Sequence, residues 1–212
     1  MFLLGLSLSN RRRPYAAQHR EGRRILDLLD RENQGSGGGD LRIEASGRPV
    51  FADRHADFSI SHSRGAAAVS CLAVPGWPGL RTGCDIQYAS LSRPWEPLAA
   101  RFFDPAEQGY IAAAPDSRGR AARFYHIWVL KEAFLKLRGL SVTDVAAATV
   151  FSAGTPGLRF FLYELRLGDW SPYALAAAAE FPPACADLGE PEFRWFSQER
   201  AGLAPVVLPR FP

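Results

Sequence analysis

Lysine is almost missing from this chain: of its 25 basic residues only Lys131 and Lys136 are lysines, and the rest are arginines. Cysteine is also scarce. Cys71, Cys84 and Cys185 lie far apart with no C-x-x-C spacing, which excludes a zinc ribbon, argues against a disulfide framework and suits a reducing, cytoplasmic setting. No apolar run reaches the roughly 18 residues that a membrane-spanning helix needs. The opening Met1–Ser9 is apolar ahead of the arginines rather than behind them, the reverse of a secretory leader, and reads as a first strand. G-x-G-x-x-G, P-loop and G-x-S-x-G motifs are all absent. The formal charge of +3 is too small for a nucleic-acid stripe, but it suits an anionic small ligand or an acidic protein partner.

What the chain does contain is enough for a core: 47% of its 212 residues are hydrophobic and 22% charged. Residues 15–31 carry the spacing of an amphipathic helix. Its basic face continues the cluster Arg11, Arg12, Arg13, Arg20, Arg23 and Arg24, either a solvated surface or an anion-docking one. Glycine-rich 34–40 and Pro75–Gly79 are breaks. Strands are expected at 41–45, 58–60, 66–74, 81–87, 149–152, 158–167 and 173–179, with helices near 94–103 and over 121–137. The proline-rich tail from Phe181 reads as irregular. Helices and short strands in both parts give an α+β class, with a division near residue 80 into segments 1–80 and 81–212.

Three segments could carry chemistry. In 124–136 the apolar arc of the helix runs through Phe124, Ile127, Trp128, Leu130, Phe134 and Leu135, and Lys131 falls in its middle. A lysine there is costly to bury unless an anion meets it; otherwise it snorkels, and Glu132 and Lys136 form an ordinary i,i+4 pair. In Thr82–Gln87 an extended strand puts Asp85 and Gln87 on one face, about 7 Å apart, with Cys84 and Ile86 on the other. Asp85 there either caps a turn after Gly83 or, beside Glu132, offers a two-carboxylate site for a hard cation. In Phe58–Ser63 the residues Phe58, Ile60 and His62 share a face opposite Ser59, Ser61 and Ser63. His62 is either a satisfied structural histidine or a phosphate donor.

In this order and spacing the segments resemble the 4′-phosphopantetheinyl transferases, in particular the larger two-halved type. Gly47-Arg48-Pro49 resembles the family's Gly-Lys-Pro turn, Phe58–Ser63 its Asn-x-Ser-His-Ser strand, and Gly83–Gln87 its Gly-Ile-Asp-x-Glu strand. Arg101-Phe102-Phe103 and Trp128–Lys136 resemble its Phe-Phe and Trp-x-x-Lys-Glu-x-x-x-Lys elements. The resemblance implies a pseudo-duplicated pair of α+β halves, a coenzyme A site between them, and a monomer that modifies an acidic acyl or peptidyl carrier protein. It also implies roles for particular residues. Asp85, Glu132 and Gln87 would hold magnesium, with Asp85, Glu132 and Lys136 catalytic and Glu132 taking the proton of the attacking serine. Arg48, Ser61, His62, Lys131, Lys136, Arg20 and Arg24 would bind coenzyme A. Nucleic acid and membrane have no part in that activity. Three departures stand out: Gln87 where the family often has glutamate, Arg48 for lysine, and a shortened Leu-Arg-Gly139-Leu140. A coenzyme-A-binding relative of weak activity and a basic module docking an acidic partner are the alternatives.

Overall fold

The computed structural model describes residues 1–9, 14–34, 39–52, 55–77, 79–151, 157–167, 170–181, 185, 190–196 and 204–207. Arg11, Arg12, Arg13 and much of the 34–40 break lie outside them. The first part of the chain forms β1 (Phe2–Ser7), α1 (Tyr15–Gln34), β2 (Leu41–Ile43), β3 (Pro49–Phe51), β4 (Ala56–Ser63) and β5 (Ala66–Ala73). The second forms β6 (Arg81–Tyr88), α2 (Glu96–Phe102), α3 (Pro105–Ala112), α4 (Ser117–Arg138), a 3₁₀ turn (Val142–Asp144), β7 (Leu158–Leu167) and β8 (Trp170–Glu180). Two tail strands follow, β9 (Glu192–Trp195) and β10 (Ala204–Val207).

Period-two burial decides how these elements stack. In β1, Phe2, Leu4 and Leu6 point one way and Leu3 the other; in β5, Ala66, Ala68 and Leu72 oppose Ala67, Val69 and Cys71. One set meets Cys84, Ile86, Tyr163, Leu175, Ala177 and Ala179 of the second sheet and forms the core between the sheets. The other set lies under Ile25, Leu26 and Leu29 of α1. In the same way α4 covers the outer face of the second sheet, where Ala174, Ala176 and Ala178 leave room for it. The layers therefore run α1, sheet, sheet, α4.

The sheet orders are β4-β5-β1-β9 and β10-β7-β8-β6. In each, a first strand, a long helix and two further strands give a sheet whose last-formed strand is central: β5 between β1 and β4, and β8 between β6 and β7. The tail is not irregular throughout, as its prolines had suggested. β9 lies parallel to β1, and β10 is antiparallel to β7. The strand expected at 149–152 does not form over 149–151, and Ser152 lies outside the described residues. The segment after α2 turns back into helix as α3, started by a capping box in which Asp104 and Glu107 accept each other's backbone N–H at 2.9 Å.

Where the sheets meet edge to edge, β4 and β6 run side by side and side chains of β4 meet amides of β6. The amides of Thr82, Ile86 and Tyr88 donate to Asp57 Oδ2, Ser61 Oγ and Ser63 Oγ at 2.7, 3.2 and 3.0 Å. Cys84 Sγ donates to the Ser59 carbonyl at 3.2 Å. Every one of these pairs is 25 residues apart, so the strands are parallel and in fixed register. This seam of side chains stands where a backbone ladder would otherwise leave polar groups unsatisfied.

Candidate active site

The site is made possible by an absence of side chain. A Cβ on Gly83 would lie 2.0 Å from the Ala133 carbonyl oxygen and 2.7 Å from the Leu137 nitrogen, so α4 rests directly on β6 only because residue 83 is glycine. That contact brings the last turns of α4 over Asp85, which points to the α4 side of β6, as strand alternation predicts. α4 is held at its start by Asp116, which accepts from Gly119 N at 2.7 Å. At its end Gly139 adopts a left-handed φ of 67° and lets the Leu140 amide reach back to the Leu135 carbonyl at 2.8 Å.

Asp85 is 2% exposed and surrounded by donors. Lys136 Nζ donates to its Oδ1 at 2.7 Å and to the Cys84 carbonyl at 3.1 Å. Ser61 Oγ donates to the same Oδ1 at 2.6 Å, and Gln87 Nε2 to Oδ2 at 3.2 Å. Burial works against the Lys136 ammonium, but the charge of Asp85, the field of Cys84, the Asp85 hydrogen bond and Glu132 outweigh it, so its pKa is raised. Glu132, one turn earlier and partly buried, has its pKa raised by burial first and by Asp85's charge second, with Lys136 opposing. The α4 side thus holds two carboxylates within each other's field and one ammonium in contact with Asp85.

Lys136 also lines a cavity of about 610 Å³. Its other walls are Tyr15, His19 and Arg23 of α1, Leu41, Ile43 and Ser46–Pro49 around the β2–β3 hairpin, Phe58, Ser59, Ile60 and His62 of β4, and Gly139-Leu140. No carboxylate lines it among the described residues. His62 stands edge-on to Tyr15 at 4.8 Å between ring centroids. Burial pushes the His62 pKa down, with the charge of Lys136 adding to the effect. A concave, carboxylate-free chamber with His19, Arg23, His62 and Lys136 around it is built for an anion.

Of the residues expected to bind the ligand, His62 and Lys136 are on this wall, and Asp85, an expected metal ligand, is joined to it through Lys136 and carries Gln87 on its other oxygen. Others are placed differently. Lys131 is fully buried, facing away from the cavity: its ammonium pairs with the equally buried Glu107 at 2.9 Å and donates to the carbonyls of Val145 and Ala148. An anion does meet this lysine, as its place in the apolar arc demanded, but the anion belongs to the protein. The Arg48 guanidinium borders the cavity yet is spent on the fold. It makes a two-pronged pair with Asp57 at 2.8 and 2.6 Å and donates to the carbonyls of Lys136, Phe58 and Thr82. Ser61 turns its hydroxyl to Asp85. Arg24 pairs with Glu21 at 2.8 Å and with the Phe196 carbonyl at 3.1 Å, and Arg20 is exposed and absent from the lining. The α1 stripe facing the cavity is Tyr15-His19-Arg23, one position round from the pair that charge density alone picks out; its i,i+4 spacing was the available signal.

These carboxylates, the lysine in contact with Asp85 and the cation-lined chamber alongside sit together on an α+β frame. Residues 81–180 match the family model of the 4′-phosphopantetheinyl transferase superfamily. The chain is 30% identical over 142 residues to the 4′-phosphopantetheinyl transferase HetI of Nostoc sp. strain PCC 7120, a match covering 62% of this chain and 57% of that one. It is 32% identical over 101 residues to a Haemophilus influenzae protein provisionally named a 4′-phosphopantetheinyl transferase, covering 48% and 41%. The chain thus spans about half the length of the curated relatives it matches.

Proposed function

We propose that this chain transfers the 4′-phosphopantetheine arm of coenzyme A to a serine of an acyl or peptidyl carrier protein, releasing 3′,5′-ADP. The observation that carries the reading is the double position of Lys136, which lines the anion chamber and at the same time touches Asp85. Phosphate charge held in the chamber is thereby placed against the carboxylates. In this reading His62, His19 and Arg23 grip the nucleotide end, with Tyr15 and Ile43 as apolar walls, and Lys136 neutralises charge on the phosphate that leaves. Arg48, Ser61 and Lys131 act from behind the wall rather than on the ligand.

No group of three or more His, Cys, Asp or Glu side chains capable of holding a metal exists among the described residues. Two carboxylates and an amide nevertheless fit magnesium, a hard cation that commonly shares one or two carboxylates with substrate phosphates. The pKa of Glu132 is raised, by its own burial first and by the charge of Asp85 second. Asp85, Glu132 and Gln87 would hold the ion, and Lys136 already occupies part of Asp85. Magnesium, when bound, supplies charge neutralisation at the pyrophosphate. Glu132, held with an increased affinity for a proton, accepts the one released as the serine oxygen bonds to the β-phosphorus of coenzyme A. The bond from that phosphorus to the bridging oxygen breaks, and its electron pair leaves with 3′,5′-ADP.

We read segments 1–80 and 81–212 as the two halves of a pseudo-duplicated unit, supported by the strand order they share. The same reading makes the protein a cytoplasmic monomer acting on an acidic carrier, and no described helix is long and apolar enough to cross a membrane. Incubation of apo carrier proteins with this protein, coenzyme A and magnesium, followed by intact-mass spectrometry, tests it. The carrier gains the mass of one phosphopantetheine arm, and the gain vanishes with EDTA and with Glu132→Ala. No gain across fatty-acid, polyketide and peptide carriers, with coenzyme A bound, overturns it.

A further inference from the structure

Ser61 sits in the seam between the sheets, on the strand that also carries His62 into the chamber, and nothing in its sequence position distinguishes a ligand-binding hydroxyl from a structural one. Its hydrogen bonds do. The Ile86 amide donates to Ser61 Oγ at 3.2 Å, taking up acceptor capacity on one side. A hydroxyl has one hydrogen, and at 2.6 Å from Asp85 Oδ1 that hydrogen goes to the carboxylate. Ser61 is 5% exposed, so it has no second way of turning outward without giving up Asp85.

We propose that Ser61 is a positioning residue that decides which oxygen of Asp85 faces the reaction. Oδ1 is held by two donors, Ser61 Oγ and Lys136 Nζ; Oδ2 carries the Gln87 amide at 3.2 Å. Held at Oδ1, the carboxylate cannot rotate freely about its Cβ–Cγ bond, and Oδ2 is the oxygen left for a cation shared with Glu132. Ser61 is anchored by β6 itself through Ile86, so the seam register of 25 residues becomes the register of the site. Ser63 is its internal control: it accepts the Tyr88 amide at 3.0 Å in the same way, two residues along, with no bond to Asp85. Outer groups that orient a metal-holding carboxylate typically influence affinity by about 10–100-fold.

The inference rests on the transferase reading, so its test uses a readout other than turnover. Full-length wild type, Ser61→Ala, Ser63→Ala and Ser61→Thr are titrated with Mn²⁺ in the presence of coenzyme A, following the free-ion EPR signal, and their thermal midpoints are recorded. The expected result is about 10-fold weaker Mn²⁺ binding in Ser61→Ala. Ser63→Ala and Ser61→Thr, which both leave a hydroxyl for Asp85, stay at the wild-type value. The thermal midpoint of Ser61→Ala falls at least as far as that of Ser63→Ala, because each loses one amide acceptor and Ser61→Ala also loses a donor to Asp85. Equal Mn²⁺ affinity in Ser61→Ala and wild type overturns the role, as does an equal weakening in Ser63→Ala, which would make it a general seam effect. If metal-free coenzyme A binding also collapses in Ser61→Ala alone, the hydroxyl is a ligand contact and the role is again overturned. A wild type that binds no Mn²⁺ even with coenzyme A removes the metal-site reading itself, and Ser61's role falls with it.

Discussion

Two lysines five residues apart on one helix meet opposite fates. Lys136 reaches a half-open site with its side chain 30% exposed, while Lys131 is enclosed with Glu107. Removing one partner of a buried pair typically costs about 3–5 kcal/mol, because the other is left charged in the core. Lys131→Met is therefore expected to lower the denaturation midpoint sharply, and adding Glu107→Gln to recover most of the loss. Turnover per folded molecule stays near wild type in both. Loss of turnover in Lys131→Met equal to that in Lys136→Met, measured on folded protein, would return Lys131 to the ligand. Glu132 carries a different expectation. Its folded pKa lies above the ordinary 4.5, so the stability it contributes is present below that value and is lost as pH rises through the folded one. Glu132→Gln should match the wild-type midpoint in acid and exceed it increasingly toward neutral pH, while transfer falls by about 10²–10⁴-fold. Parallel midpoints across the pH range would refute the raised pKa.

At the scale of elements, the helix that carries Lys131, Glu132 and Lys136 was the most legible feature: its apolar arc and its two lysines are written locally. The alternation of Asp85 and Gln87 against Cys84 and Ile86 was equally plain. What could not be read was who would meet whom. Glu107 comes from a capping box that looks purely local, and Asp57 is an unremarkable acid until the fold brings Arg48 to it across the hairpin. Gly83 shows how much can hang on such a meeting. In sequence it reads as a turn residue, whereas in space it is the contact floor for α4. Gly83→Ala forces the helix off the strand, and overpacking of this kind costs about 1–3 kcal/mol. The larger effect should be on chemistry, since a displaced α4 carries Lys136 away from Asp85. Transfer by the folded variant is expected to drop more steeply than its stability, and a variant with lowered stability but unchanged kcat would show that the site tolerates the shift.

Across the whole molecule, the two sheets share an apolar core, and their adjoining edges are tied by polar side chains. Arg48 is the strongest of these ties, since one guanidinium reaches β4, β6 and the end of α4. The chain's preference for arginine over lysine matters here, because a lysine offers a point charge and could not make a two-pronged pair with Asp57 while also meeting three carbonyls. Arg48→Ala leaves Asp57 buried without its partner and is expected to cost about 3–5 kcal/mol. Amide exchange should rise first at Thr82 and its neighbours on β6. Uniform acceleration over the whole core, with no lead at the seam, would argue that the two sheets do not loosen there.

The tail strand β9 gives this architecture one more property. It returns to lie beside β1, its neighbour Phe196 donating its amide to the Leu6 carbonyl at 2.8 Å, while Arg194 meets Glu32 of α1 at 2.6 Å. The order of residues along the chain and the order of pieces in space therefore disagree, like a strap that leaves one case and buckles onto another. A protease nick between β5 and β6 would not release two separate pieces: the later fragment holds a strand of the earlier fragment's sheet, and the two would travel together as one particle until denatured.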